Sequence, residues 1–311
     1  MKIFMGFQEV DELPVLLDAG AHEFYTGFHS GTEFALRSQY PPYAALRSFD
    51  ELDQAIRIVR RAGSKLFIAL NALYYSKDDL AILPKAAQHL IERGADGVIV
   101  ASFPLLLALS RAKLNAEICL STLQPAFSST SLAFFKSLGI TRMVLAEQTG
   151  AFEVDDILRD PDIQTEAFTS LINDHPHTES YCLFHHRQRT FCPVTKAKEF
   201  RFCGERPAVA MRRGEASDDL INYVSRAYVH DRPYRINNAG NLYHLYHLGL
   251  DYLKLGCRRM DIRGKLACLS IATGLLDLLE NGVEYDEFVA RALEIKESRT
   301  QDFTKWENPY F

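Results

Sequence analysis

The sequence predicts an α/β protein, a TIM-like (β/α)8 barrel with a Cys/His/Arg-rich insertion between its seventh and eighth strands. Three observations lead there. Short β-rich runs alternate with longer segments of helical period, the pattern of βα units around a parallel sheet. Eight such runs can be read, and 311 residues accommodate one barrel of about 250 residues plus an insertion. An open doubly wound sheet would place a glycine-rich phosphate turn after its first strand, where this chain has Met5-Gly6-Phe7-Gln8.

The first strand is read at Ile3–Phe7, followed by a helix over Glu9–Asp18 that stops at Gly20. The second strand is Glu23–Tyr25. A helix over Phe49–Arg61 ends before Gly63 and leads into the third strand, Lys65–Leu70. Lys77–Arg93 is helical up to Gly94, and Gly97–Ala101 is the fourth strand. Next come the helix Pro104–Arg111, the fifth strand Glu117–Leu120, and the helix Ser128–Ser137 with Gly139 behind it. Arg142–Ala146, the helix Phe152–Arg159 and Glu166–Ser170 bring the count to seven strands, and Tyr252–Leu255 is the eighth. A glycine after a helical run and before a strand can take the left-handed turn that ends a helix, which other residues resist.

Between these last two strands the regular pattern lapses. Residues 171–233 are read as an insertion, too long for an ordinary loop, with helical period only around Asp218–Ala227. Amphipathic runs at Gly264–Glu280 and Asp286–Glu297 and a polar aromatic tail make residues 261–311 a C-terminal cap. The whole chain, 1–311, reads as one domain.

Composition narrows the function classes. With 47% apolar and 24% charged residues, the chain is neither disordered nor collagen-like. Its net charge of −5 argues against a protein that coats nucleic acid, so RNA is not indicated by charge, although a local basic patch is compatible with it. The longest apolar stretch, residues 97–109, is broken by Ser102 and Pro104 and is too short to span a membrane. The N-terminus has no basic region with a long apolar core, so the expected location is the cytoplasm.

In a barrel the chemistry sits where the strands end. Gln8, Thr26, Asn71, Ser102, Ser121, Thr122 and Glu147 occupy those ends. Cys182, Cys192 and Cys203 lie in the insertion and Cys257 just beyond the eighth strand, so four thiolates could rise from one rim and suit an iron–sulfur cluster or a zinc ion. Their spacing matches no C-x2-C pair, and buried inert cysteines remain the alternative. Cys119 and Cys268 stand in apolar runs and read as core, with Cys119 held in reserve as a fourth ligand. His175, His177, His185 and His186 flank Cys182. From His185 to Arg213 the insertion is basic, eight Lys and Arg against Glu199 and Glu205, and could attract a carboxylated or phosphorylated ligand. No G-x-S-x-G, H-E-x-x-H, Walker or G-x-G-x-x-G signature occurs.

Several strings together resemble one family, the collagenase-like peptidase family U32. Residues 19–27, AGAHEFYTG, look like its opening "AGAD-x-VYLG". Residues 65–71 followed by Leu73 look like its K-hydrophobic-LN strand, and 94–100 are similar to "GADAVIV". Residues 120–124, LSTLQ, with 138–146 behind them resemble "LSTQ…LGVKRVVLAREL". Glu166-Ala167-Phe168 resembles "EAFVHG", and residues 253–258, LKLGCR, resemble "LKIEGR".

The resemblance implies a barrel whose four C-terminal cysteines hold a four-iron four-sulfur (4Fe-4S) cluster. It also implies roles in RNA modification or oxygen-independent hydroxylation, where a metabolite such as prephenate supplies the oxygen. By position, Cys182, Cys192 and Cys203 match the first three family cysteines; Asn237 and Asn238 stand where the fourth is usually found, so Cys257 would have to serve. The "HG" is Ser170-Leu171 here and the Arg of "ARE" is Glu147, departures that fit a different substrate. The expected pocket is Asn71, Ser121, Thr122 and Glu147, with Lys254, Arg258 and Arg259 holding an anionic group. The ligand would be a small anionic or aromatic molecule, or an RNA base. The chain resembles the family's short subclass, some of whose members pair with a second family subunit. A peptidase or a non-catalytic partner subunit are the alternatives to a hydroxylase.

Overall fold

The computed structural model describes residues 1–30, 45–146, 149–169, 171–172, 239–258 and 260–300. Among them nine strands run β1 (Lys2–Gly6), β2 (Glu23–Phe28), β3 (Ala45–Leu46), β4 (Leu66–Leu70), β5 (Gly97–Val100), β6 (Glu117–Leu120), β7 (Arg142–Val144), β8 (Gln164–Ala167) and β9 (Tyr252–Leu255). Neighbours follow the order β1-β9-β8-β7-β6-β5-β4-β2-β3, and β1 also pairs with β2, so eight strands close into a ring with β3 outside it. Every pairing is parallel. The expected (β/α)8 barrel is therefore the fold.

Helices α1 (Glu12–Asp18), α2 (Phe49–Arg61), α3 (Lys77–Arg93), α4 (Phe103–Ala112), α5 (Ser129–Ser137) and α6 (Asp155–Leu158) join successive strands, while α7 (Ala239–His247) enters β9, and α8 (Ile262–Glu280) and α9 (Tyr285–Thr300) follow it. Their starts are chemically marked. Ser48 accepts from Glu51 N–H at 3.1 Å, Ser76 and Asp79 cap each other reciprocally, and Asp261 accepts from Gly264 N–H at 2.9 Å. Gly20 and Gly139 adopt φ of +103° and +93°, the left-handed turns expected of them.

Strand periodicity divides the core in two. Outward residues such as Ile3, Met5, Leu66, Ile68, Val98 and Leu253 join the large cluster beneath the helices. Inward residues Phe4, Tyr25, Phe67, Ile99, Cys119, Val144, Phe168 and Tyr252, one from each strand of the ring or just past its end, fill the barrel.

The barrel floor is charged. Arg142, the first residue of β7, is fully buried and reaches Glu23 at 2.8 Å, Gln164 at 2.9 Å, Glu117 at 3.3 Å, Glu166 at 3.4 Å and the Tyr252 hydroxyl at 3.2 Å. Its guanidinium also lies 4.1 Å from the Tyr252 ring centroid and 4.5 Å from that of Phe67. Burial alone would lower its pKa, but the carboxylates of Glu166 and Glu23 outweigh that and raise it.

A second buried pair fastens the seam where β1 meets β9. Lys265 on α8 donates to both Glu12 carboxylate oxygens at 2.6 Å, and the Glu12 Oε2 also accepts from Gln8 N–H at 2.9 Å.

The structure moves some boundaries. The strand expected at Glu166–Ser170 is Gln164–Ala167, because Gln164 serves the floor and Thr165 N–H donates to Asp251 at 2.8 Å, so polar residues open the strand. The first helix begins at Glu12, with Pro14 in its first turn, where proline's fixed φ fits. The short strand β3 and the helix α7 were not expected. Helix α7 is built from Tyr and His as much as from Leu, and packs on α9 through Tyr243 against Tyr285 at 5.3 Å and Phe288 at 5.5 Å. The insertion from residue 173 and the tail from 301 lie outside the described residues. Among the described residues no helix is long and apolar enough to cross a membrane.

Replacing Arg142 by Met leaves the buried Glu23 without a cation and Glu166 with Lys254 alone, and is expected to lower stability by about 3–5 kcal/mol in urea denaturation; an unchanged midpoint would show that the floor carries no weight. Lys265→Met is expected to cost a similar amount, about 3 kcal/mol, and the pair Glu12→Gln with Lys265→Met to recover most of it, which a double-mutant cycle measures.

Candidate active site

Parallel strands in a barrel deliver their last residues to one rim. Asn71 follows β4, Ser102 follows β5, Ser121 and Thr122 follow β6, and Thr169 lies just beyond β8; all are buried or nearly so. The expected Asn71, Ser102, Ser121 and Thr122 therefore meet at the mouth, joined by the unexpected Thr169, while Glu147 lies outside the described residues.

The mouth is held by backbone. Ser121 N–H donates to Val100 O at 2.8 Å, its Oγ accepts from Leu123 N–H at 3.3 Å, and Gln124 N–H returns to Ser121 O at 2.8 Å, which makes a tight turn. The Thr122 hydroxyl donates to Leu145 O at 3.3 Å and so ties the ends of β6 and β7 together. The Ser102 hydroxyl is buried and has no hydrogen-bond partner among the described residues. A buried hydroxyl pays for desolvation whether or not it is paired, so such a group is a candidate contact for a ligand.

Arg258, 2% exposed, follows β9 and lies with its Cβ against Gly6 at the end of β1. Gly6 permits this: a Cβ there would lie 2.8 Å from Arg258 Cβ and 2.9 Å from the Tyr25 ring. The Tyr25 hydroxyl donates to Leu255 O at 2.8 Å and supports the turn that carries Arg258.

Lys254 is placed differently from the expectation. Instead of reaching for an anion at the rim, it points into the barrel, where its ammonium donates to Glu166 at 2.6 Å and lies 4.6 and 4.8 Å from the Phe4 and Tyr25 ring centroids. The even residues of β9 face inward, so Lys254 shares the phase of Tyr252, and Glu166 already neutralises it. Arg259 lies outside the described residues.

The same parity governs the cysteines. Cys257 has the outward phase of Leu253 and Leu255, belongs to their apolar cluster and is 1% exposed, so it faces the helical layer. Cys119 faces inward, 3.6 Å from Glu166; burial first, and then the negative charge of Glu166, push its thiol pKa up and oppose the thiolate that a metal needs. Cys268 is buried against Met260 at 3.6 Å. Cys182, Cys192, Cys203 and the four insertion histidines lie outside the described residues. Among the described residues no three His, Cys, Asp or Glu converge as a metal site.

The mouth thus offers an amide, several hydroxyls and one guanidinium over an interior whose charges are already matched. Such a lining can hydrogen-bond the edge of a planar heterocycle and accept one anionic group. Sequence reasoning missed Thr169, Glu12, Lys265 and the floor residues Glu23, Arg142 and Glu166. The available signal was a charged residue at an inward position of an apolar strand, as at Arg142 and Glu166.

The model of Peptidase family U32 matches residues 8–170, from just past β1 to just past β8. Among curated proteins, the chain is 25% identical over 159 residues to the tRNA hydroxylation protein P1 of Bacillus subtilis (strain 168), a match covering 51% of this chain and 36% of that protein. The match therefore spans little more than a third of that relative's length. Among solved structures, the U32 peptidase Mk0906 is 14% identical with a TM-score of 0.44, covering 54% of this chain and 69% of that one. Orotidine 5'-phosphate decarboxylase from Pyrococcus horikoshii OT3 is 11% identical with a TM-score of 0.40, covering 86% and 98%. With more than half of its length matched by the family model, the chain belongs to Peptidase family U32.

Proposed function

We propose that this protein acts in the oxygen-independent hydroxylation of a base in RNA, using a four-iron four-sulfur (4Fe-4S) cluster held by Cys182, Cys192 and Cys203. The observation that carries the reading is the 25% identity to a protein named for tRNA hydroxylation. The mouth supports it through uncharged groups. Asn71 offers a donor and an acceptor on one amide, and the hydroxyls of Ser102, Ser121 and Thr122 can serve as either, which suits the edge of a nucleobase. Arg258 supplies the cation for a phosphate or for the carboxylate of a small oxygen donor.

Thiolates are the ligands that iron–sulfur clusters prefer, and the three insertion cysteines have that chemistry. When bound, the cluster would supply the redox step that a hydroxylation without dioxygen requires. Cys257 is left out of the ligand set because it is 1% exposed and belongs to the apolar cluster beneath the helices. The chain's own residues do the rest. Asn71 and Thr122 orient the base, Arg258 holds the anion, and the Lys254–Glu166 pair closes the barrel beneath them to water. A peptidase reading asks for a nucleophile activated by a base, whereas Ser121 Oγ accepts from a backbone N–H.

Anaerobic reconstitution should give a brown protein containing iron. Cys182→Ser, Cys192→Ser and Cys203→Ser should each lose iron and visible absorbance, while Cys257→Ser keeps both; a colourless, iron-free wild type would sink the cluster. In the native host, deletion of this protein should remove a hydroxylated nucleoside from digested tRNA, read by mass spectrometry, and an unchanged nucleoside profile would refute the function. Restoring the gene as Asn71→Ala is expected to lower the modified fraction roughly tenfold in rate, the equivalent of one lost hydrogen bond.

A further inference from the structure

We infer that a cleft on the flank of the barrel, between α2 and α3, docks the phosphodiester backbone of RNA. The cleft measures about 510 Å³ and is lined by Asp53, Ile56, Arg57, Arg60, Arg61 and Arg93. It concentrates four guanidinium groups on a protein whose net charge is −5.

One of the four is already committed. Arg93 Nε donates to Asp53 Oδ1 at 3.0 Å, a second contact joins Nη2 to Oδ2, and the guanidinium lies 4.6 Å from the Phe49 ring centroid. This bidentate, stacked arginine forms a rigid wall and neutralises the one carboxylate in the cleft. Arg57, Arg60 and Arg61 are exposed and make no ion pair with any described residue. They stand at i, i+3 and i+4, so their charges sit side by side and repel. The dipole of α2 accounts for Arg60 and Arg61 in its last turn but not for Arg57 a turn earlier. Gly94 supplies the geometry. It ends α3 with φ of +118°, and a Cβ there would lie 2.8 Å from Arg60 Nη2, so the missing side chain makes room for that guanidinium against the end of α3.

Position restricts the ligand. The last turns of α2 and α3 lead into β4 and β5, so the cleft lies toward the end of the barrel opposite the mouth. The thirteen residues of α2 put roughly 20 Å between the two ends. A mononucleotide cannot span that distance. A folded RNA arm can, presenting roughly a dozen phosphate charges over the same length. The inference rests on the proposed function for the choice of RNA as the polyanion and for the mouth as the end where it reacts.

The test measures binding of host tRNA to the full chain by fluorescence anisotropy across a salt series. Relative to wild type, Arg57→Gln/Arg60→Gln/Arg61→Gln should bind about 10–100-fold more weakly at low salt, with the slope of log affinity against log salt reduced by about 2–3. The charge-preserving Arg57→Lys/Arg60→Lys/Arg61→Lys should keep most of the affinity and slope. An unchanged slope in the Gln variant overturns the inference, as does equal loss in the Lys variant or competition by polyglutamate as strong as that by RNA. Cleft-dependent binding without a change in tRNA nucleosides on deletion would leave the cleft standing and remove the hydroxylation reading. A modification that depends on the protein while the salt slope ignores the arginines would do the reverse.

Discussion

A guanidinium sealed from water at the base of the barrel sets the terms for the rest of the molecule. Arg142 has no solvent to share its charge, so carboxylates must come to it, and Glu166 does so from the neighbouring β8 and Glu23 from β2 across the ring. Glu166 then has charge to spare for Lys254, which makes two buried cations and two buried anions inside one ring. Aromatic faces from Phe4, Phe67 and Tyr252 complete the shell. An interior balanced in this way asks nothing of a ligand, so the polar groups at the rim remain to deal with one.

This arrangement explains which parts of the protein could be read from its residues. The βα alternation and the glycines at helix ends were legible because they depend on local sterics and on a period of burial, both visible within a dozen residues. Six of the eight ring strands were placed to within two residues, while β2 reaches three past its expected end at Tyr25 and β8 stops three short of its expected end at Ser170. The exception in kind was β8, whose opening Gln164 looks like loop until Arg142, far away in sequence, is seen to need it. Helix α7 was hidden for a related reason: its packing relies on stacked Tyr and His rings, which carry no clean apolar stripe.

At the site, residue type and strand end were legible, and orientation was not. Asn71, Ser121 and Thr122 follow their strands to the mouth as their positions require. Lys254 and Cys257 are three residues apart and were both assigned to the rim, yet strand parity sends one into the barrel and the other into the helical layer. The phase of a strand is settled by its partners across the whole ring, which no short window of sequence contains. The four arginines of the flank escaped for another reason: three lie on α2 and one on α3, and only folding brings them to a common cleft.

The seam between the first and last strands has a consequence for synthesis. Lys265 fastens to Glu12 across 253 positions, and β1 finds its second neighbour only in β9. A chain emerging from the ribosome therefore carries an unpaired edge on β1 and an unmatched Glu12 until β9 and α8 have been made. Contacts so distant along the chain close slowly, and the waiting edge is sticky. The nascent protein should therefore depend on a holding chaperone until β9 and α8 are free of the exit tunnel.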